Sequence, residues 1–445
     1  MRTSLNRRQF LQRATLTTAG VLAAPYVTSG LHAASPNETV LHASFGATGQ
    51  AASDINSLTR GGVAKLVAVA EVDLNRVAML QRRFPEVKVY QDWRELLDKE
   101  KALDSVNVTV PDHMHAVMAM SAMQLGKHVY CQKPLAHDIY ETRRLNEFAR
   151  EKKLVTQMGI QIHSSTTYRQ AVQIVQEGTI GKVKEVHAWS NKKWGDGAPL
   201  PDRNDPVPDG FAWESWLGTA SARPFLGSSY YHPGNWRKRL DFGTGTFGDM
   251  GCHIYDPVFK ALELTAPISV RSEGPAPTQW NWAINAVVQY VFPGTKFTET
   301  NTVNVTWYDG DARPPQEIQA LIGPTKLPDQ GSIFVGTKGA MLLPHIANAT
   351  LYPQKDFEGW QPPKLEERDH YLQFIEAVRG NGQTSANFDY AGPLTETVLL
   401  GSVACRFPQT TLQWDAKSLK FTNNTEAGQF LRRQYRTGWE VPGLS

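Results

Sequence analysis

Between about Thr39 and Val155 short apolar runs alternate with amphipathic stretches, and this alternation limits the possible folds more than any other feature of the chain. Val40–Phe45, Leu66–Glu71, Ser105–Val110 and His128–Cys131 read as buried strands. Ser53–Thr59, Asn75–Arg83, Ala116–Leu125 and Ile139–Glu151 read as helices between and after them. Strand–helix–strand units in series bury both faces of a sheet only when its strands run parallel. After about Gln161 the character changes: Val183–Trp194, Ile268–Ser272, Ala286–Phe292, Val303–Tyr308, Ser332–Gly336 and Met341–Leu343 read as strands separated by loops. Residues 183–189 alternate in polarity, as expected of an open, mostly antiparallel sheet with one face exposed or facing a ligand. Gly195–Gly210, with four Pro and four Asp, reads as a long loop, and Leu365–Arg379 and Pro393–Cys405 as late helices. The 445 residues suffice for two cores. The expected architecture is α/β: a doubly wound parallel sheet over residues 38–160, then an α+β domain with an open sheet over residues 161–445.

The first strand runs into Gly46-Ala47-Thr48-Gly49-Gln50-Ala51, just before a helix. A Rossmann dinucleotide turn wants glycine at the first and third of these positions and Gly or Ala at the sixth. The first makes the tight turn, the second admits the pyrophosphate to the backbone, and the third packs helix on strand. Gly46 and Ala51 fit, but Thr48 stands where the second glycine belongs. Taken alone, the segment is equally a strand–helix turn without a ligand. Glu71 ends the second strand, 25 residues after Gly46. An acid there accepts hydrogen bonds from ribose hydroxyls and repels a 2′-phosphate. The expected cofactor is therefore NAD, held by Gly46, Thr48, Gly49, Gln50, Ala51 and Glu71; nearby Arg76 weakens the preference and leaves NADP open.

Charge and cysteine usage exclude other classes. Four of the 46 Lys and Arg lie in residues 1–34, which hold no acid; the other 42 face 43 Asp and Glu. The body is near neutral, so no nucleic-acid partner is expected. The basic start contains a twin-arginine pattern, Asn6-Arg7-Arg8-Gln9-Phe10-Leu11-Gln12. A moderately apolar stretch from Ala14 to about Val27 follows, then small residues at Ala33 and Ala34. Residues 1–34 are expected to be an export signal read by the twin-arginine machinery, giving a periplasmic or otherwise exported protein. The apolar run is too short for a comfortable membrane span. Cys131, Cys252 and Cys405 are too widely spaced for a zinc motif or disulfide framework and read as buried thiols.

Two further segments carry chemistry. The first joins Thr109-Val110-Pro111-Asp112-His113-Met114-His115 to Gly126-Lys127-His128-Val129-Tyr130-Cys131-Gln132-Lys133-Pro134-Leu135. The second is Asp241-Phe242-Gly243-Thr244-Gly245-Thr246-Phe247-Gly248-Asp249-Met250-Gly251-Cys252-His253. Together with residues 157–161, Trp216-Leu217-Gly218 and His232-Pro233-Gly234-Asn235-Trp236, they resemble the glucose–fructose oxidoreductase / inositol dehydrogenase family, written Gfo/Idh/MocA. The resemblance implies a Rossmann domain, an open substrate-binding sheet, and hydride transfer between a bound nicotinamide and a sugar or cyclitol carbon. It implies pairing of open sheets, and so a dimer or tetramer. The family's Glu-Lys-Pro motif matches Gln132-Lys133-Pro134, and its Asp and His match Asp249 and His253. Gln132 departs from the pattern, and its missing charge is expected to leave Lys133 less tightly paired.

Oxidising a secondary alcohol requires removal of the hydroxyl proton, for which an imidazole is the natural base. His253 is the first candidate. Lys133 offers a point charge to the reacting oxygen. Asp249, four residues before His253, shares its face if the segment is helical, where it orients the imidazole or contacts substrate. Pro111 and His115 flank the strand end where the family's cofactor passes. No metal is expected, since His113 and His115 lack a third ligand. His163, Tyr231, His232, Trp236 and Arg237 are candidates to face substrate, with core or loop packing the equal alternative. Trp189, Trp194, Trp213 and Trp216 are either sugar-stacking faces or core aromatics. The leading reading is an oxidoreductase acting on a sugar, sugar derivative or cyclitol. Because free NAD is scarce outside the cytoplasm, its cofactor is expected to stay tightly bound. A redox-neutral glycoside-cleaving enzyme working through a transient 3-keto sugar, and a non-catalytic sugar-binding relict, are the alternatives.

Overall fold

Six short strands pair into the first sheet, those at its centre too buried to face water on either side. In the computed structural model, which describes residues 39–445, they are β1 (Val40–Phe45), β2 (Ala64–Ala70), β3 (Lys88–Tyr90), β4 (Ser105–Val108), β5 (His128–Cys131) and β6 (Thr156–Met158). They form one sheet in the order β3-β2-β1-β4-β5-β6, with every pairing parallel. The chain reverses its direction of travel across the sheet between β1 and β4. At such a switch point the connections leave in opposite directions and a crevice opens at the carboxyl ends of the strands. Gly46 and Thr109 follow those two strand ends directly. The residues of the expected export signal lie outside the described residues.

Two short elements carry no periodicity long enough to read from sequence: β3 and the helix Trp93–Lys99, which the Asp92 side chain caps at the Arg94 amide. The stretch expected as one helix from Asn75 is a 3-10 turn, Leu74–Arg76, and then a helix, Ala78–Arg83. Asp73 caps the turn through the Asn75 amide, which starts the coil early and breaks the register.

The second sheet has nine strands: β7 (Val183–Ser190), β8 (Ser269–Ser272), β9 (Val287–Pro293), β10 (Thr302–Asp309), β11 (Gln330–Gly336), β12 (Ala340–Pro344), β13 (Thr350–Tyr352), β14 (Thr411–Asp415) and β15 (Lys420–Phe421). Their order is β13-β12-β11-β7-β10-β9-β8-β14-β15. The sheet is mostly antiparallel, but its centre pairs β7 with β10 in parallel. Val186, Ala188, Val288, Tyr290, Val305 and Trp307 bury one face under the helices Gly245–Leu262 and Phe388–Ala404. The second helix also packs on Ile139–Lys152 of the first sheet's layer, so one core serves both sheets and the described residues form one compact unit. Among the described residues no helix is long and apolar enough to cross a membrane. The three cysteines are buried and unpaired.

The helix Gly245–Leu262 is glycine-rich and has little intrinsic preference to be helical. Tertiary packing decides it. Gly251 lets the Phe247 ring lie on the helix surface, where a Cβ would come within 2.6 Å of that ring. At the other end Asp112 accepts from the Thr244 amide (3.1 Å) and hydroxyl (2.7 Å), placing an acid against the helix N-terminus.

Candidate active site

The crevice at the switch point continues into a cleft of about 500 Å³ that runs from the Gly46 turn to the Gly245–Leu262 helix. Its first end is built from backbone. Gly46 has φ +98°, and a Cβ there would meet the Thr109 carbonyl at 2.3 Å, so only glycine lets the two strand ends approach. Gly49 precedes the Gln50–Thr59 helix with φ +60°, and a Cβ on it would meet no atom within 4 Å. The helix therefore begins on open space, and its N-terminal end faces the cleft, as a pyrophosphate requires. Ala51 is buried under the turn, and Thr48 and Gln50 line the cleft. Glu71 lines it too. Its carboxylate accepts from the Ala47 amide at 3.0 Å and the Asp73 amide at 3.1 Å, which fixes it beside the turn. Burial raises its pKa, opposed by those two amides and by Arg76. With lone pairs left over for ribose hydroxyls, this end fits NAD.

The other end is built from side chains. Lys133 Nζ donates to the Asp249 carbonyl at 2.6 Å and to Asp249 Oδ1 at 2.8 Å. Arg237 Nε reaches the same Oδ1 at 3.1 Å; Lys192 Nζ and Trp194 Nε1 reach Oδ2 at 3.1 and 2.8 Å. Each carboxylate oxygen thus takes two donors, which saturates it. Burial alone would raise the Asp249 carboxyl, but Lys133, Arg237 and Lys192 outweigh it and hold its pKa well below the ordinary value. An ammonium has three protons and Lys133 gives two to Asp249, so the third remains for a ligand. The Lys133–Pro134 peptide is cis.

His253 lines the cleft one turn beyond Asp249. Its imidazole makes no hydrogen bond among the described residues; Nδ1 is fully buried and without a partner, which leaves Nε2 as the nitrogen that reaches the cleft. Burial, then the charge of Lys133 and the neighbouring His345, pull its pKa well below 6.5. The His345 ring stands 5.7 Å from it, centroid to centroid, with its own pKa brought down to about 4 by burial, Lys192 and Lys133. Two neutral imidazoles thus stand near the ammoniums of Lys133 and Lys192.

Not every residue marked in the sequence is here. His163 is buried elsewhere, its Nδ1 2.7 Å from Asp256 Oδ1 and its ring against Tyr390, so it is a satisfied core histidine. Tyr231 is 2% exposed in a separate aromatic cluster with Trp213, Trp216 and Phe242. His232, Trp236 and Arg237 do line the cleft. His232 stacks on Phe211 and lies 3.0 Å from Arg76 and 3.2 Å from Asp73. The Arg237 guanidinium sits 4.2 Å from the Trp236 ring. Pro111 and His115 line it as well, and both His115 nitrogens face carbonyls, of Pro134 at 2.7 Å and Val110 at 2.9 Å. His113 is buried on the Trp216 carbonyl. Trp189 and Trp213 are core aromatics, whereas Trp194 belongs to the site.

Two expectations about pairing need correction. Asp249 does not orient His253: both its oxygens are taken by cations and an indole. Nor is Lys133 loosely held for want of a charge at 132, because Asp249 supplies it. Gln132 instead donates to buried Asp54 at 2.8 Å, a carboxylate that also takes Gln50, Thr109 and Tyr371. Sequence reading missed Lys192 and His345. Both follow strands of the second sheet, far along the chain, and no local pattern marks either.

Comparison with known proteins agrees with this layout. The family model for the oxidoreductase family NAD-binding Rossmann fold (GFO_IDH_MocA) matches residues 43–160, and that for the oxidoreductase family C-terminal alpha/beta domain matches residues 166–313. Levoglucosan dehydrogenase of Pseudarthrobacter phenanthrenivorans is 25% identical over 194 residues, 44% of this chain and 41% of that one. Inositol 2-dehydrogenase of Salmonella typhimurium is 30% identical over 125 residues, 28% and 37% of the two chains. The matched stretch thus spans about two fifths of these curated relatives. Among solved structures, the WlbA dehydrogenase of Bordetella pertussis, in complex with NADH and UDP-GlcNAcA, superposes with a TM-score of 0.61 at 12% identity, over 85% of this chain and 97% of that one. An NAD-binding protein from Listeria innocua gives 0.58 at 15% identity, over 84% and 97%. Both likenesses are of fold.

Proposed function

This chain belongs to the Gfo/Idh/MocA oxidoreductase family, and from that premise we propose that it oxidises or reduces a secondary alcohol or ketone of a sugar, sugar derivative or cyclitol. The observation that carries the proposal is Lys133, anchored by two protons on Asp249 with its third left over, in one cleft with the unbonded imidazole of His253. When bound, NAD supplies the hydride acceptor, or as NADH the donor. In the oxidative direction His253 Nε2 takes the hydroxyl proton, which its low pKa prepares by keeping it neutral. Lys133 donates its remaining hydrogen bond to the same oxygen and stabilises the negative charge that grows there. Asp249 is a positioning residue: it fixes Lys133 and, through Lys192 and Arg237, the walls around the substrate. The levoglucosan and inositol dehydrogenases among the relatives support a polyhydroxylated ring as substrate. The twin-arginine pattern supports export, and an exported enzyme keeps its nucleotide by binding it tightly.

Purified protein incubated with NAD and a panel of sugars, sugar acids and cyclitols tests this. Substrate-dependent NADH, or a keto product formed on bound nucleotide, is expected. No change in nicotinamide state with any of them, in a sample shown to bind NAD, would sink the reading. His345 favours a second one. Redox-neutral glycoside cleavage needs a further acid–base group for the elimination, and a second neutral imidazole stands 5.7 Å from the first. Release of sugar from a glycoside with no accumulation of NADH or keto sugar would select it.

A further inference from the structure

A second cavity, of about 330 Å³, lies between the Gly245–Leu262 helix start, the Phe388–Ala404 helix and the segment Gln429–Gln434, and shares no lining residue with the cleft. Three arginines, Arg406, Arg432 and Arg433, and two acids line it, and the arginines are the groups with bonds to spare. The Arg406 guanidinium makes no hydrogen bond or ion pair among the described residues and is held by two rings, 4.5 Å from Phe430 and 5.3 Å from Trp282. Arg433 reaches only the Asp241 carbonyl, at 3.4 Å, and its Nη1 is buried with no partner. Nε2 of His137, on the same wall, is likewise buried and unpartnered. The two acids present are already engaged. Asp138 accepts from the Glu141 and Arg433 amides at 2.7 and 2.9 Å, and Asp241 is paired with Arg223.

A guanidinium carries five donors and no acceptor, and removing it from water without one is costly. Both guanidiniums are half-buried, Arg406 with no protein acceptor and Arg433 with one long bond and a buried unpartnered Nη1, so both have donors to give to an anion in the cavity. We propose that this cavity binds a small organic anion, whose carboxylate or phosphate is held by Arg406 and Arg433 and whose body rests on Ile139, Leu240 and Val403. The site is separate from the oxidoreductase chemistry and does not depend on it. It is nonetheless next to it: Thr244 lines the cavity while donating to Asp112, which lines the cleft.

Isothermal titration of the full-length protein with citrate and, separately, with inorganic phosphate tests the proposal. Saturable binding of at least one is expected, weakened about tenfold or more in Arg406→Met and in Arg433→Met, since a charge-assisted hydrogen bond contributes that much. Binding of citrate alone assigns a carboxylate ligand, and of phosphate alone a phosphate. Where Arg406→Met fails to fold, Arg406→Lys keeps the stem between the rings but loses the planar fork and is expected to weaken binding in the same direction. No saturable heat with either anion up to about 10 mM, or binding that the arginine variants leave unchanged, overturns the proposal.

Discussion

The two ends of the cleft are made of different material. At the dinucleotide end the working parts are a glycine turn, a helix N-terminus that begins on open space and one acid fixed by two main-chain amides. At the reaction end they are long side chains from three separate stretches of chain, Lys133, Lys192 with Trp194, and Arg237, gathered on the Asp249 carboxylate. Backbone parts depend on local conformation, so single changes there act mainly through strain and affinity. Side-chain parts depend on each other, so single changes there strike the chemical step. The contrast predicts that damage at the reaction end leaves nucleotide bound, and damage at the turn lowers affinity more than turnover.

The largest effect is expected at Lys133. Lys133→Ala removes the ammonium held by two bonds to Asp249 with its third proton spare, and turnover should fall by about 10³-fold or more, as when an oxyanion donor is lost. Fluorescence of bound nicotinamide should be retained. Loss of nucleotide along with activity would break the division between the two ends.

His253→Ala comes next, with an expected fall of about 10²–10⁴-fold. Its pH dependence sharpens the assignment. A base whose pKa is depressed is already deprotonated at neutrality, so wild-type turnover should hold as pH falls through 6.5 and decline only well below it. A limb at the ordinary imidazole value would mean that another group takes the proton.

The same contrast explains what could be read from sequence. Four of the six parallel strands were legible because burial on both faces leaves them as near-continuous apolar runs, whereas β3 and β6 are too short, and Gly46 was legible through the turn motif. The helix over Gly245–Leu262 was not, since its glycines argue against it and only packing on Phe247 and the sheet restores it. Lys133, Asp249 and His253 stood out through motif resemblance. Their partners did not: Lys192 and His345 meet Asp249 and His253 only when the Gly245–Leu262 helix packs on the second sheet. His163 and Tyr231 were marked by proximity to motifs, and nothing local told a core histidine or ring from one that faces ligand.

Gly46→Ala tests the backbone end. The added Cβ combines a left-handed φ, costing about 1–2 kcal/mol, with a clash against the Thr109 carbonyl. A lowered melting temperature and NAD affinity reduced about tenfold or more are expected, with turnover at saturating NAD reduced far less. A variant that binds NAD normally would show that β1 and β4 need not approach as closely as they do here.

The smallest effect is expected at Thr48, the position that departs from the Rossmann pattern. Glycine is wanted there because a side chain keeps the pyrophosphate from the backbone. Here the next residue supplies that clearance: Gly49 has φ +60° and no atom within 4 Å of where its Cβ would be, while Thr48 lines the cleft from the side. Thr48→Gly should therefore change NAD affinity by no more than a few-fold, less than the roughly tenfold that one hydrogen-bond equivalent of free energy would produce. Equilibrium titration of nucleotide-stripped protein measures it. Tightening by about two orders of magnitude would mean that Thr48 obstructs the site, and that the dinucleotide end owes its function to something other than the clearance at Gly49.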